Sequence, residues 1–335
     1  MTESPEQDYI EGEWEDPGSD PAVQRIDCAD GAGMRLDQFL ASRLPDISRT
    51  RVQRWIELGS VWCESRILSA KSRLLGTEIA YVKPLPREAD QSFVADPVAL
   101  DVIAETEHYL IINKAAGLVV HPGAGNWRNT LLNGLIHRWP AQALLPRAGI
   151  VHRLDKDTSG LLVVARSELA RQSFTDQLKE RRMSRRYLTL AHGRIASAGS
   201  VDAPIGRDPA LRTRMAVVRA SYGKPALTHY LPLAQGMLEA QMISLLECRL
   251  QTGRTHQIRV HLAHIKHPIL GDALYGGTRL AIDRQALHAY RLGIADPVDS
   301  SHKSWRIAPP NDFTLAAQAC GIDLDAGLRV VNDHA

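Results

Sequence analysis

The segment Gly149-Ile150-Val151-His152-Arg153-Leu154-Asp155-Lys156-Asp157-Thr158-Ser159-Gly160 packs a basic pair, a carboxylate and a turn signal between two apolar stretches. Ile150-Val151 reads as the end of a buried strand and Leu161–Ala165 as the start of another. Between them, Asp157-Thr158-Ser159-Gly160 has the chemistry of a tight turn, with an Asp to bond its own backbone and a Gly free to take positive φ. Asp155 then sits at the mouth of a sheet beside Arg153, as a carboxylate held rigidly and kept charged. Such a group can attack an electrophilic carbon or take a proton. Asp157 is the competing carboxylate. Its place in the turn assigns it a structural role, with its side chain on backbone donors.

Three further segments carry polar groups at suggestive spacing. Asn113 to Asn126 brings Gly117, Gly123 and Gly125 into a loop whose backbone can approach phosphates closely, and a purely structural loop fits as well. Arg185-Arg186-Tyr187 opens a strand; taken alone, Tyr187 reads as a core residue with its hydroxyl at the rim. In Leu250 to His264, Thr255 can cap a helix on which Arg259 lies one turn in. Lys266 stands where a glycine would end that helix most simply. His256, His261, His264 and His267 raise the question of a metal site, but no His-Glu-x-x-His, matching carboxylate or cysteine pair accompanies them. They read as hydrogen-bonding core groups or as groups facing a bound partner, and no metal is expected.

The elements that must position these groups form two domains. A first unit spans 33–83: a helix over Arg35–Leu44, a second from Arg49 to Leu58 capped by Ser48 and ended by Gly59, then short strands at 61–63 and 79–82. Val52 and Ile56 face inward on the second helix, while Arg51 and Arg54 lie on another face. Residues 84–96 read as a linker. From 97 to 320, strand candidates at 100–104, 109–113, 149–151, 161–165, 187–191 and 239–249 interleave with helices over 130–138, 168–182 (capped by Ser167) and 255–265. The absence of a regular βαβ rhythm predicts an α+β fold on a largely antiparallel mixed sheet with flanking helices. Residues 321–335 read as a tail.

Composition narrows the class. The chain has 335 residues, 44% hydrophobic and 23% charged, and no apolar run long enough to span a membrane. The N-terminus lacks an apolar core of the secretory kind, and the four cysteines form no Cys-x-x-Cys pair, so a reducing cytoplasm is expected. Residues 1–24 hold eight carboxylates and no Lys or Arg, so the net +2 hides +10 on the remainder. A body that basic suits a polyanion. The acidic tail reads as disordered, either a solvated solubility tag or a phosphate-mimicking autoinhibitor.

The run His152-Arg153-Leu154-Asp155 followed by Lys156-Asp157-Thr158-Ser159-Gly160 resembles the signature of the RNA pseudouridine synthases that include the RluA, RluC and RluD types. The His121-Pro122-Gly123-Ala124-Gly125 portion, with Thr130-Leu131-Leu132-Asn133, is most similar to the RluD type, which acts on large-subunit ribosomal RNA. The resemblance covers about residues 33 to 310 and implies a base-flipping pocket with Asp155 as the catalytic residue. It also implies that Tyr187 stacks on the target base, that Arg259 of His256-Gln257-Ile258-Arg259 pairs with Asp155, and that Arg153 fills the space the base leaves. An apolar residue near His267-Pro268-Ile269-Leu270 lines the uracil pocket in this family, and Leu270 is taken for that role. The first unit resembles the S4 RNA-binding domain, which implies RNA contact by Arg49, Arg51 and Arg54; the alternative is a solvated helix face. Where that fold carries an Asn-Gly turn, this chain reads Cys63-Glu64-Ser65-Arg66.

The expected activity is isomerisation of uridine to pseudouridine, with no cofactor, in a protein that is a monomer by default and has RNA or a ribosomal particle as its partner. A transfer RNA substrate, another ribosomal site, and a ribosome-assembly factor with vestigial chemistry are the competing readings.

Overall fold

The computed structural model describes residues 22–45, 47–63, 68–85, 94–123, 125–211 and 214–332. The chain forms two compact units that divide between Arg87 and Glu88. Most of the acidic tail, the Glu64–Arg66 part of the expected turn and most of the linker lie outside the described residues.

In the first unit, strands β1 (Gln24–Asp27), β2 (Val61–Cys63) and β3 (Ile79–Val82) form an antiparallel sheet in the order β1-β3-β2. Helices α1 (Leu36–Arg43) and α2 (Arg49–Glu57) pack with it around Phe39, Leu40, Val52, Trp55 and Ile56. The unit begins earlier than position 33, because Gln24 already pairs with Val82. The Ser48 side chain caps α2 by accepting from the Arg51 N–H, as its hydroxyl and position predict. A buried carboxylate ties the two helices: Asp37 accepts from Arg35, Arg49 and Gln53. Burial alone would raise its pKa, but those three donors hold it down to about 2.

The second unit is built on a nine-stranded sheet. Its members are β4 (Asp101–Glu105), β5 (Tyr109–Lys114), β6 (Ser159–Ala165), β7 (Ser184–His192), β8 (Gly199–Asp202), β11 (Leu227–Leu238), β12 (Gln241–Leu250), β13 (Leu287–Ala295) and β14 (His302–Arg306). The short strands β9 (Ile205–Arg207) and β10 (Met215–Val217) pair separately. The sheet order is β4-β5-β6-β13-β7-β12-β11-β8, with β14 on β13. Every pairing is antiparallel except β6 with β13, so the mixed, largely antiparallel sheet matches expectation. Helices α3 (Leu131–Arg138), α4 (Glu168–Lys179), α5 (Gln257–His264), α6 (Asn311–Ala319) and α7 (Leu324–Asn332) complete the unit.

Both faces of the central strands are covered. Leu162 and Val164 of β6 join one core, and Leu161, Val163 and Ala165 join another with Phe174 of α4. This is why the strand reads as an unbroken apolar run rather than an alternating one. Gly160 takes φ +115°, and a Cβ there would stand 2.3 Å from the Ala289 carbonyl oxygen, so only glycine lets β6 and β13 approach.

Several expected boundaries shift. Ile150 makes only an isolated bridge to Val164, because the preceding Arg147, Ala148 and Gly149 turn the chain through left-handed backbone at φ +54°, +51° and +76°. Ser159 and Gly160 already belong to β6; the turn closes earlier, through Thr158 N–H to the Asp155 carbonyl at 3.1 Å. Helix α4 ends at Lys179, and Arg181 beyond it has φ +60°. Residues 321–335 are not simply a tail, since Ile322 and Leu328 enter the core and α7 packs on β11. Among the described residues no helix is long and apolar enough to cross a membrane.

Candidate active site

The loop entering β6 and the loop entering α5 meet above the centre of the sheet. They line a cavity of about 830 Å³ with Asp155, Tyr187, Arg259 and Arg153 in its wall. Asp155 and Arg259 are 104 positions apart, and the Arg259 Nη1 lies 3.3 Å from the Asp155 Oδ2. The other side of the same guanidinium grips Asp272, Nε to Oδ2 at 2.6 Å and Nη2 to Oδ1 at 2.9 Å. Arg259 is 7% exposed and Asp272 2%, so this fork is shielded from water. Burial alone would lower the Arg259 pKa, but the Asp272 hydrogen bonds and the charges of Asp272 and Asp155 raise it beyond its ordinary value.

Tyr275 supports the same cation from its ring face, with the guanidinium carbon 5.0 Å from the centroid. Its hydroxyl accepts from the Met215 N–H at 3.0 Å and is hydrogen-bonded to the His256 Nδ1 at 2.8 Å. His256 begins α5 with φ +56°, so the expected Thr255 cap does not form. The α5 entry is held instead by the buried Gln257, which accepts from Thr252 Oγ1 at 2.8 Å and Arg254 N–H at 3.0 Å. At the far end Lys266 takes φ +69°, the left-handed stop that a glycine would otherwise supply. His261 bonds Thr228 and the Ala203 carbonyl, and no metal-binding cluster occurs among the described residues.

Lys114, at the end of β5, fixes the Asp155 loop from behind. Its fully buried ammonium donates to the carbonyls of Ala115 at 2.7 Å and of Leu118 and Lys156 at 2.9 Å. Arg284 donates to the Asp157 carbonyl at 3.0 Å. The Asp157 carboxylate itself makes no hydrogen bond with a described residue, so the turn is held by its backbone and not, as expected, by that side chain. Tyr187, 4% exposed on β7, faces the cavity opposite this loop. Burial raises its pKa; Arg185 acts against that rise, and the Asp155 charge adds to it. Arg153 is exposed at the cavity wall and makes no hydrogen bond or ion pair with a described residue.

Leu270 corrects the expectation. It is fully buried in the main core, its N–H bonded to the Leu190 carbonyl, and it is not among the cavity-lining residues. The apolar wall near Asp155 comes from Leu154, Ile258 and Leu287. In the first unit the three arginines of α2 all have partners. Arg49 bonds the buried Asp37, Arg51 donates to the Leu85 carbonyl at 2.8 Å and stacks on Trp55, and Arg54 pairs with Glu57 at 3.5 Å. Arg49 therefore braces the helix pair, because a buried carboxylate needs its charge there. Asp272, Tyr275 and Lys114 lie in motifs visible in the sequence, but nothing in their spacing signals the contacts they make.

Residues 108–264 match the RNA pseudouridylate synthase family. The chain is 47% identical over 297 residues to "Ribosomal large subunit pseudouridine synthase D" of Nitrosomonas europaea, covering 86% of this chain and 85% of that protein. It is 42% identical over 309 residues to the protein of the same name from Escherichia coli K12, covering 88% and 92%. Among solved structures, human RNA pseudouridylate synthase domain containing 1 superposes with a TM-score of 0.54 at 28% identity, over 71% of this chain and 96% of that one. With identity of this order running across both units, the chain belongs to the RNA pseudouridylate synthase family.

Proposed function

We propose that this protein isomerises uridines of large-subunit ribosomal RNA to pseudouridine, the substrate carried in the names of its relatives. The observation that carries the chemistry is the Asp155 carboxylate, held 3.3 Å from Arg259 in the wall of a cavity it shares with Tyr187. The reaction detaches uracil from C1′, turns it and rejoins it through C5. Asp155 either adds to C1′ or removes the C2′ proton, and both steps begin from the ionised carboxylate.

The uridine must leave its stack to reach Asp155, at a cost recovered by stacking and base-edge contacts. Tyr187 supplies the stacking face, and Arg153, lacking an internal partner, fills the space left in the RNA. Leu154, Ile258 and Leu287 give the otherwise polar cavity an apolar stretch of wall, which helps keep water from the ribose while uracil is detached. The first unit acts as an S4-like RNA-binding domain; its helix pair and the arginines of α2 support that reading. The RNA contacts fall to Arg51 and Arg54, and Arg49 serves the helix pair.

The test is pseudouridine mapping of ribosomal RNA from cells lacking this protein, complemented with wild type or Asp155→Asn. Specific large-subunit uridines should lose the modification and regain it only with wild type. Loss at a transfer RNA site instead would move the substrate, and no change anywhere would remove the activity.

A further inference from the structure

Three buried side-chain nitrogens in the wall of the Asp155 cavity have no partner among the described residues, Arg185 Nε, His152 Nδ1 and His121 Nε2, and the first two are donors. Side chains alternate along a strand, so Arg185 and Tyr187 of β7 share one face and Arg186 takes the other. Arg186 is paired, its Nη1 3.3 Å from Glu247. Arg185 is not. It is 8% exposed, it forms no hydrogen bond or ion pair with any described residue, and its Nε is buried without an acceptor. Burial without a neighbouring anion pulls its pKa below the ordinary arginine value, with Tyr187 acting weakly the other way.

His152 supplies the second donor. Its Nε2 accepts from the Val163 N–H at 3.2 Å, which places the ring proton on Nδ1. That Nδ1 is also buried and unpartnered. Burial first, and then the Arg185 charge, keep the ring neutral, with its pKa down at about 3. Both residues line the same cavity, whose carboxylate, Asp155, is already engaged by Arg259.

Gly253 is compatible with this placement of Arg185. A Cβ at 253 would stand 2.6 Å from the Arg185 Nη1, and the Gly253 φ is not in the left-handed region. The glycine leaves the guanidinium its present place, which a side chain at 253 would force it to shift. A desolvated cation with no counter-ion is unfavourable unless a ligand brings the anion. A uracil carbonyl would satisfy an N–H but not the charge. A phosphodiester satisfies both, and the guanidinium fork matches its oxygens. Lys179, Arg181 and Arg254 add positive charge around the same opening.

We propose that Arg185, with the His152 Nδ1–H, binds one backbone phosphodiester of the RNA beside the extruded uridine. The contact anchors the nucleotide whose base enters the pocket, so Arg185 is a substrate-positioning residue. This rests on the RNA-isomerising function proposed above.

The experiment uses the full-length protein and a synthetic large-subunit RNA fragment. It is compared with copies carrying one neutral methylphosphonate at each linkage flanking the target uridine. One of these should weaken wild-type binding about ten-fold or more, as loss of a charge-assisted pair does. Arg185→Gln should lose a similar factor on the native RNA, seen in KM more than in kcat. It should lose little further on that methylphosphonate copy, since the two changes remove one interaction. Arg185→Lys should recover part of the affinity, and thermal unfolding of both variants should stay at or above wild type. Additive losses, equal sensitivity of Arg185→Gln to the neutral linkage, or a fall in thermal stability that accounts for the activity would overturn the proposal. A wild-type protein that binds the RNA but responds to no flanking linkage would do the same while leaving the isomerase reading intact. A wild type that forms no pseudouridine would remove the function and this inference with it.

Discussion

Arg259 holds Asp272 through two nitrogens and Asp155 through one. The bidentate side fixes the plane of the guanidinium, and the remaining nitrogen then points at Asp155 without needing to search for it. A cation with both sides free would lose more side-chain freedom on meeting Asp155. Asp272 is thus a positioning residue for the proposed catalytic pair.

Replacing Asp272 by Asn should uncouple that arrangement. Removing one partner of a buried pair costs about 3 kcal/mol, so thermal unfolding should fall by several degrees. Turnover should drop beyond what the folded fraction explains, because Arg259 can now swing toward Asp155 in more than one geometry. Full kcat in the folded Asp272→Asn protein would show that the fork is structural only.

Tyr187→Phe and Tyr187→Ala should separate the ring from the hydroxyl. The hydroxyl has no hydrogen-bond partner among the described residues, so Phe should keep most RNA affinity. Ala should lose about 1–3 kcal/mol, the usual worth of a base–aromatic stack. Measured binding constants that rank Phe with Ala would transfer the role from ring to hydroxyl.

Lys114→Met should act on the Asp155 loop from outside the cavity. The carbonyls of Ala115, Leu118 and Lys156 would lose their common donor, and a buried polar group left unpaired costs about 1–3 kcal/mol. Amide hydrogen exchange should rise in residues 115–120 and 154–158, with turnover falling in parallel. Unchanged exchange there would mean that other contacts hold the loop.

Acid should destabilise the protein before its carboxylates protonate. Burial, with Arg185 next, holds the His152 pKa at about 3; burial, with Arg284 next, holds that of His288 at about 4. Unfolded histidine takes its proton near pH 6.5, at about that ordinary value. Between about 6.5 and 4 the unfolded chain therefore binds more protons than the folded one, so stability falls as pH falls. His121 is likewise held at about 4, by burial and then by Arg147, so denaturant titrations should show a slope of about 1.4 kcal/mol per pH unit for each proton, with at least three histidines contributing. A flat profile across that window would refute it.

Arg51→Ala with Arg54→Ala should weaken RNA binding and reduce the salt slope by about one to two, as lost phosphate contacts release fewer counterions. Because Arg51 also bonds the Leu85 carbonyl, thermal unfolding must be followed alongside. An unaltered slope would take these side chains out of the RNA interface.

Much of the site was legible because the groups are carried by local patterns. Asp155 stands in a twelve-residue run, Tyr187 and Arg259 stand in motifs of their own, and the Ser48 and Ser167 caps follow from hydroxyl chemistry at a helix start. The mixed sheet followed from strands and helices without a βαβ rhythm. What the tertiary structure decided is non-local. Whether an apolar core residue also reaches a cavity depends on neighbours far along the chain, which is why Leu287 lines the cavity and Leu270 of the same core does not. Whether a charge is free or engaged depends on where a distant carboxylate comes to rest. That separates Arg49, held by Asp37, from Arg185, which pairs with no described residue, and it joins Arg259 to two aspartates that are 13 and 104 positions away. Local chemistry is written in adjacent residues, while burial and pairing exist only once the strands have met.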